Sequence, residues 1–523
     1  MTSVADTESV VDQARADDLR MVARGGSLNF VGAAANGIFQ FLLVVVVAQV
    51  LTKSQSGAFF EAIALFLILS NTCELGADTG LTRMIPLYRV RGRIDDLRAS
   101  LRVGMWPPLV SGVLFAIVTY VFAHPLAELF THKSASDAAM VADYIRVLSI
   151  FLPLAGVYTV AIAATRGFGT MLPNALIDRI AKSAAQTAAV AVVVVAGGGA
   201  TAIAIAWGAP ILLAFAAALV WLRVLLREVV AHERRERRPA ATPLRKLAAE
   251  FWAFTAPRGL TGVFQVTILW VGTLMVGNLR STADASVYTA STRYLVAGSV
   301  VNLAIIQVIG PKLSELLSGN HSSRARNVYQ VATSWLMALA WPMYLTLALF
   351  APVLLRVFGH KFTPGASSLV ILSCAMLVAT GIGPVDVVLL MGGRSFWNLF
   401  NVVVALILNI GLSLALIPRI GIAGAAVAWA AAILFNNVAP LLEVRAFLKL
   451  HPFGSGFPVV AGSALACFGG IGLLVRLTMG ATIPAFVLYG LVATAVYVAL
   501  LYRMRERVEI PLLMETVLAR RGR

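Results

Sequence analysis

Arginines within apolar stretches are the residues of this chain most able to do chemistry. Arg258 lies in FTAPRGL and Arg293 in YTASTRYL, each inside a long apolar segment. A charge at the centre of a membrane-spanning helix costs about 2.5–3.5 kcal/mol on insertion scales, so such residues usually have a function. Counted from the helix ends, both guanidiniums approach the midplane, where together they would bind a diphosphate. The alternative is that each pairs with a carboxylate or a carbonyl, or lines water without binding substrate.

Three carboxylates and one more arginine complete the candidate site. Arg24, in ARGG at the edge of the first apolar segment, is either a further substrate ligand or a flank that sets topology. Glu74 and Asp78 are four residues apart, so they are expected to share one face of the second helix near its inner end. Asp386 lies near the inner end of another helix. These carboxylates would bind a coupling cation or form an inner gate with the arginines.

The composition is that of a polytopic membrane protein without an enzyme domain. Hydrophobic residues make up 59% of the 523 residues and charged residues only 13%, whereas soluble proteins carry about 25% charged residues. The nucleotide-binding, serine-hydrolase and zinc-protease signatures are absent, and the six histidines lack metal-ligand spacing. We therefore expect no catalytic residues, no metal and no cofactor. The glycines Gly76 and Gly80 form a GxxxG pair that predicts close helix packing.

Apolar runs long enough to cross about 30 Å of hydrocarbon number about fourteen. The fold class is therefore an all-α integral membrane protein. The predicted spans are 27–50, 57–81, 103–124, 140–165, 174–196, 200–222, 250–277, 286–310, 328–355, 366–391, 396–417, 422–444, 456–475 and 482–502.

Loop charge orients these spans. About 32 of the 42 Lys and Arg residues fall in the tails and in alternate loops on one side, and about 8 fall on the other. The positive-inside rule then predicts a multi-pass protein of the cell membrane, with both termini cytoplasmic. The net charge of +17 is explained by these loops, so we expect no nucleic-acid partner. The basic loop 223–249 is predicted to be a solvated linker, or alternatively to grip anionic membrane lipids.

Two short similarities indicate an internal repeat. GATAIAIAW from Gly199 aligns with GIAGAAVAW from Gly421, and SGAFFEA from Ser56 resembles ASVYTAS from Ala285. An offset of six helices predicts two parallel six-helix repeats around a central cavity, a transporter layout, plus two appended helices. The predicted division is a cytoplasmic tail (1–26), a first bundle (27–222), a linker (223–249), a second bundle (250–444), an appended pair (445–502) and a basic tail (503–523).

Three segments resemble bacterial polysaccharide flippases. The first, LTKSQSGAFFEAIALFLILSNTCELGADTGLTRMIP from Leu51, is similar to the region around their second helix. LFAPVLLRVFGHKFTPGASSLVILS from Leu349 and LMGGRSFWNLFNVVVALILNIGLSLALIPRIGIAGAAVAWA from Leu390 resemble their second half. The similarity covers nearly the whole chain. It implies membership of the multidrug/oligosaccharidyl-lipid/polysaccharide exporter superfamily.

The resemblance implies a flippase that moves a polyprenyl-diphosphate-linked oligosaccharide from the inner to the outer leaflet by alternating access. Glycan polymerases or glycosyltransferases would be its partners in the synthesis of a surface polysaccharide. An ion-coupled multidrug antiporter and a lipid II flippase are the alternatives. Lipid II flippases place arginines within the first two helices, and the antiporters typically place a carboxylate within the first. This chain has only Arg24 at the edge of the first helix, and Asn36 and Gln40 within it.

Overall fold

A computed structural model describes residues 28–131, 134–232, 242–319 and 321–504, and these residues contain helices but no strands. Apolar runs of this length form helices because the hydrocarbon core offers the backbone no water to hydrogen-bond. The all-helical membrane fold expected from the sequence is confirmed. Arg24 and the tail 1–26 lie outside the described residues, as does most of the tail 503–523.

The helices are numbered in chain order. The first nine are α1 (Leu28–Val50), α2 (Lys53–Glu74), α3 (Ala77–Val90), α4 (Ile94–Val121), α5 (Ala123–Phe130), α6 (Ala135–Ser149), α7 (Leu152–Gly167), α8 (Ser183–Val195) and α9 (Ala200–His232). The next seven are α10 (Leu244–Leu279), α11 (Thr282–Ser318), α12 (Ser322–Leu355), α13 (Ala366–Ile382), α14 (Val385–Met391), α15 (Ser395–Ile420) and α16 (Ile422–Leu448). The last three are α17 (Gly456–Ala464), α18 (Gly472–Met479) and α19 (Ile483–Arg503). A wider π-helical turn, Asn174–Lys182, leads directly into α8, and a second one, Leu465–Ile471, joins α17 to α18.

In the described residues, eleven helical segments are long and apolar enough to cross a membrane, with α2 and α3 counted as one segment and α17 and α18 as another. The number is twelve when the bent pair α6 and α7 also counts as one span. The prediction from sequence was fourteen. The two remaining predicted spans, 174–196 and 286–310, are helical but are not among the twelve. The first of them begins with Asp178, Arg179 and Lys182, which lower its hydropathy.

The predicted boundaries of the linker 223–249 are wrong, because helices extend into it from both sides. Helix α9 continues to His232 and α10 begins at Leu244, so most of the segment is helical, and residues 233–241 lie outside the described part. Arg93, at the turn between α3 and α4, reaches this region. Its guanidinium donates to Asp96 at 2.7 Å and to the Thr242 hydroxyl at 2.8 Å. We call this end of the bundle the basic end, and the end where α2 starts and α10 finishes the opposite end.

The last helices pack on the outside of α12. Tyr489 of α19 stacks on Phe350 with ring centroids 4.7 Å apart, and the Tyr497 hydroxyl donates to the Ala338 carbonyl at 3.0 Å. Their buried residues form a small hydrophobic cluster with α12, separate from the largest cluster, which runs through α1, α2, α6, α11, α12, α13 and α16. The largest cluster joins the first and second halves of the chain.

Candidate functional site

The second predicted span is broken where its acidic residues lie. Helix α2 ends at Glu74, and α3 begins at Ala77, because Leu75 (φ 52°) and Gly76 (φ 78°) both adopt left-handed backbone conformations. Glu74 and Asp78 therefore belong to two different helices, and the prediction that they share one continuous helix face is wrong. The hydropathy of the span predicted at 57–81 does not mark this break.

The glycines at this break permit very close packing. A Cβ on Gly76 would lie 2.6 Å from the Gly259 nitrogen of α10, and one on Gly80 would lie 2.4 Å from the Thr255 hydroxyl. The prediction that Gly76 and Gly80 form a close-packing site is confirmed. The contact brings α10, and with it Arg258, against α3.

Arg258 shares an aromatic ring with a second arginine, Arg83, which the sequence analysis did not single out. The guanidinium carbons of Arg83 and Arg258 lie 4.0 and 4.5 Å from the centre of the same Phe254 ring. The two carbons are thus no more than about 8.5 Å apart, the two ring distances added together. Both side chains are exposed, and within the described residues neither forms an ion pair. We call Arg83, Phe254 and Arg258 the arginine pair.

Two arginines placed in this way are suited to bind an anion. Two like charges repel, and the ring face stabilises each guanidinium through a cation–π contact without occupying its N–H groups. Those N–H groups are the ones that bind phosphate oxygens in a bidentate manner. An anion between the two arginines would remove their repulsion.

A polar cluster lies beside the break, on α7 and the π-helical turn. Asp178 accepts hydrogen bonds from the Tyr158 hydroxyl at 3.0 Å and from the Lys182 ammonium at 2.5 Å. Glu74 is buried, and Asp178 and Lys182 are among the charged groups near it. Among the described residues, Glu74 forms no ion pair with Arg258 or Arg293. Of the alternatives for these arginines, pairing with a carbonyl applies to Arg293, whose Nε donates to the Thr289 carbonyl.

Two further arginines were missed by the sequence analysis. Arg166 lies in the last turn of α7 and Arg179 in the π-helical turn, and both are half-buried. The Nε of each is buried and has no hydrogen-bond partner among the residues that the structure describes. Arg179 packs close to Gly32 of α1, where a glycine Cβ would lie 3.3 Å from its Cδ. The signal in the sequence was the charged start of the span predicted at 174–196, which reads equally well as a helix flank.

Arg293 does not belong to the arginine pair. Its guanidinium carbon is 4.3 Å from the centre of the Trp270 ring, and its Nε donates to the Thr289 carbonyl at 3.4 Å. Trp270 follows Arg258 by twelve residues on α10, which is about 18 Å at 1.5 Å per residue. The structure therefore does not bring Arg258 and Arg293 together, and the expectation of a shared depth is wrong. It fails because α10 and α11 extend well beyond the spans predicted from hydropathy.

Asp386 is also apart from these residues. It lies in the first turn of the short helix α14, which follows an interruption of the helix at Gly383 and Pro384, and its side chain is exposed. The neighbouring Tyr329 hydroxyl donates to the Ile382 carbonyl at 2.8 Å. No group of three or more His, Cys, Asp or Glu residues suited to a metal ion occurs in the part of the chain that the structure describes.

The opposite end of the bundle is closed by contacts between the two halves of the chain. The hydroxyls of Ser56 on α2 and Ser286 on α11 are 2.7 Å apart, and both residues are fully buried. The rings of Phe41, Tyr294 and Phe358 touch one another with centroids 5.1–5.6 Å apart. The chain segment after α12 adds two hydrogen bonds to the end of α1, from Gln49 to the Val357 carbonyl at 2.7 Å and from Lys361 to the Leu51 carbonyl at 2.6 Å.

Comparison with known protein families identifies the family to which this chain belongs. Residues 22–317, more than half of the chain, match the family model described as polysaccharide biosynthesis protein. No curated protein matches the chain at a significant level.

Solved structures of transporters share the fold. A structure of the lipid II flippase MurJ in an inward closed conformation has a TM-score of 0.67 at 14% identity, covering 90% of this chain and 97% of its own. An inward-facing multidrug resistance MATE family transporter of the MOP superfamily has a TM-score of 0.63 at 14% identity, covering 79% and 94%. A MOP superfamily transporter from Pyrococcus furiosus has a TM-score of 0.54 at 14% identity, covering 82% and 95%. These relatives are transporters and flippases rather than enzymes, which agrees with the missing enzyme signatures. The chain belongs to the polysaccharide biosynthesis protein family and has the membrane fold of the MOP superfamily transporters.

Proposed function

We propose that this chain is a flippase that moves a polyprenyl-diphosphate-linked oligosaccharide from the cytoplasmic to the outer leaflet for surface polysaccharide synthesis. The arginine pair carries the proposal. Two exposed guanidiniums, about 8.5 Å apart at most and without acidic partners among the described residues, suit one diphosphate group better than a cationic drug. The family match supports the link to polysaccharide synthesis.

The basic end is proposed to be the cytoplasmic one, because it carries the excess of Lys and Arg. The arginine pair lies in the half of α10 nearer to this end, where it would meet a lipid-linked substrate made in the cytoplasm. Arg166 and Arg179 add positive charge on α7 and the π-helical turn, whereas Lys182 is paired with Asp178. Glu74, Asp78 and Asp386 remain candidates for a coupling or gating role. Arg24 and Arg293 remain candidate substrate ligands at other depths.

Two repeats that rock against each other would provide alternating access. The segments that begin at Ser56 and at Ala285, which resemble each other in sequence, meet at the closed opposite end. Equivalent segments that lie beside a two-fold axis contact each other across it. In the same way, Gly199 and Gly421 each directly precede a helix, α9 and α16. Both observations support the repeats at 27–222 and 250–444, followed by the appended pair.

The test is to substitute the arginine pair in cells that depend on this gene. Arg258→Ala and Arg83→Ala should each abolish transport, and Arg→Lys should only partly restore it, because Lys lacks the fork geometry. Lipid-linked oligosaccharide should then accumulate in the inner leaflet. Arg419→Ala, an exposed arginine at the opposite end, is the matched control and should behave as wild type. Accumulation of lipid II instead of the oligosaccharide precursor, or normal transport in both Ala variants, would refute the proposal.

A further inference from the structure

The hydroxyl of Thr242 joins the start of α10 to the turn between α3 and α4. It donates to Oδ2 of Asp96 at 2.8 Å and accepts a hydrogen bond from Arg93 at 2.8 Å. The Thr242 nitrogen donates to Oδ1 of Asp96 at 2.9 Å, and Nε of Arg93 donates to Oδ2 at 2.7 Å. Asp96 is 2% exposed, so these donors replace the water that its carboxylate loses on burial. We call Arg93, Asp96 and Thr242 the threonine clamp.

The threonine clamp holds the first turns of α10 against the first half of the chain. Leu247 and Phe251 are fully buried in the hydrophobic cluster that also contains the buried residues of α3 and the start of α4. Arg93 reaches Glu250 on the same part of α10, at 3.5 Å. Phe254 of the arginine pair follows Thr242 by twelve residues, about 18 Å along the helix at 1.5 Å per residue. The position of the start of α10 therefore affects the position of the arginine pair.

Thr242 has the features of a phosphate acceptor. It is half-buried, and Pro243 keeps it outside α10, because a residue before proline favours an extended backbone. The preceding sequence is basic, with Arg237 and Arg238 five and four residues upstream. Protein kinases select substrates by charge patterns of this kind. Thr242 also lies at the basic end, which is proposed to be cytoplasmic and therefore to face ATP.

A phosphate on Thr242 is incompatible with the threonine clamp. It removes the hydroxyl proton that Asp96 accepts, and it places a charge of about −1.5 to −2 beside that buried carboxylate. Arg93 would then be shared between two anions. Like charges at this distance repel strongly where little water screens them. The start of α10 would therefore move away from α4.

We propose that Thr242 is a phosphorylation site, and that its phosphate releases the start of α10 and slows the flippase. A protein kinase transfers the γ-phosphoryl group of ATP to Thr242. The threonine oxygen forms a bond to the γ-phosphorus, the bond from that phosphorus to the β–γ bridging oxygen breaks, ADP leaves, and the hydroxyl proton passes to a base of the kinase. The effect on transport rests on the proposed function, whereas the modification and the movement of α10 do not depend on the substrate.

The first measurement is the phosphate occupancy of Thr242. The full chain is purified at native expression from growing and from stationary cells, and the peptide that contains Thr242 is analysed by mass spectrometry. We expect a fraction of this peptide to carry one phosphate, assigned to Thr242 by fragmentation. Phosphatase treatment and Thr242→Val should both remove it. Absence of phosphate at Thr242 in both kinds of cell would overturn the inference.

The second measurement is the distance between α4 and the start of α10. With the three native cysteines replaced by serine, the exposed positions of Arg98→Cys and Arg245→Cys carry spin labels. Phosphothreonine incorporated at position 242 during translation should give a longer and broader distance distribution than the unmodified chain. Phosphothreonine at position 323, an exposed serine in the first turn of α12, is the matched control and should leave the distribution unchanged. The same distribution with and without the phosphate on Thr242 would contradict the release of α10.

Asp96→Asn separates charge repulsion from a loss of fit. Asparagine is uncharged and donates to phosphate oxygens, so adding this substitution to the chain with phosphothreonine should return the distances toward those of the unmodified chain. Thr242→Val removes the hydroxyl without adding charge and should lengthen the distances less than the phosphate does. No recovery with Asp96→Asn would mean that the phosphate does not act by repelling this carboxylate, which would overturn the proposed release.

The effect on transport is measured in liposomes that contain a labelled polyprenyl-diphosphate saccharide. The chain with phosphothreonine at position 242 should move this lipid several-fold more slowly than the unmodified chain. Equal rates for the two would overturn the regulatory role of Thr242. Absence of transport by the unmodified chain would instead refute the proposed function, so the two failures are distinguishable.

Discussion

At the scale of single residues, the arginine pair is the smallest unit on which the proposed chemistry depends. Phe254 presents its ring to both guanidiniums, at 4.0 and 4.5 Å, and so holds two like charges near each other without neutralising them. Each such contact contributes about 0.5–1 kcal/mol at an exposed site. The ring orients the arginines, whereas the arginines would contact the substrate.

Phe254→Leu should therefore weaken transport less than removal of either arginine does. Leu keeps an apolar side chain in the same position but cannot make a cation–π contact. We expect a several-fold loss of transport that is partly overcome at high substrate concentration, with a normal amount of inserted protein. Transport rates at low and at saturating substrate would measure this. A loss as complete as that of Arg258→Ala would mean that the ring contacts the substrate directly.

At the scale of helices, much of the fold follows from the sequence. The predicted spans 27–50 and 422–444 correspond closely to α1 and α16, because an apolar run flanked by polar residues marks the ends of a spanning helix. The break between α2 and α3 was not predictable, since a left-handed Leu75 leaves no trace in hydropathy.

The candidate site was predicted less well than the fold. Arg258 and the acidic residues near Gly76 were recognised, because charges inside apolar runs stand out. The partner Arg83 was not, since it was counted within a basic loop. The depths of Arg258 and Arg293 were misjudged because hydropathy marks the apolar core of a helix, whereas α10 runs from Leu244 to Leu279.

The close packing of Gly259 on α10 against the break between α2 and α3 predicts that a larger residue at this position lowers the stability of the protein. In Gly259→Ala, the new methyl group would lie 2.6 Å from the backbone of Leu75, which cannot move aside as a side chain can. Overpacking of this kind costs about 1–3 kcal/mol, so the melting temperature in detergent should fall. Gly411→Ala on α15 is the matched control, because nothing lies within 4 Å of its Cβ position. Equal melting temperatures for the two variants would show that the helices separate readily here.

At the scale of the whole molecule, charge and closure distinguish the two ends. The basic end carries most of the Lys and Arg residues, and it is the end nearer to the arginine pair. The opposite end is held shut by Ser56, Ser286 and the aromatic residues Phe41, Tyr294 and Phe358. This asymmetry is expected of a transporter that is open to one side at a time.

Locking the opposite end should therefore stop transport. In a background without native cysteines, Ser56→Cys and Ser286→Cys would replace two hydroxyls that are 2.7 Å apart. Oxidation to a disulfide should abolish transport, and reduction should restore it. Each single variant serves as a control and should be insensitive to oxidant. Full transport by the oxidised double variant would show that these helices stay together throughout the cycle.

Transport by the purified protein tests the central claim most directly. Liposomes containing the full chain would receive a labelled polyprenyl-diphosphate saccharide in one leaflet and, separately, the matching polyprenyl-monophosphate saccharide. The appearance of label in the other leaflet is then measured. We predict protein-dependent movement of the diphosphate, much slower movement of the monophosphate, and loss of movement in Arg258→Ala. Equal rates for the two lipids, or no movement of the diphosphate, would contradict a diphosphate-binding flippase.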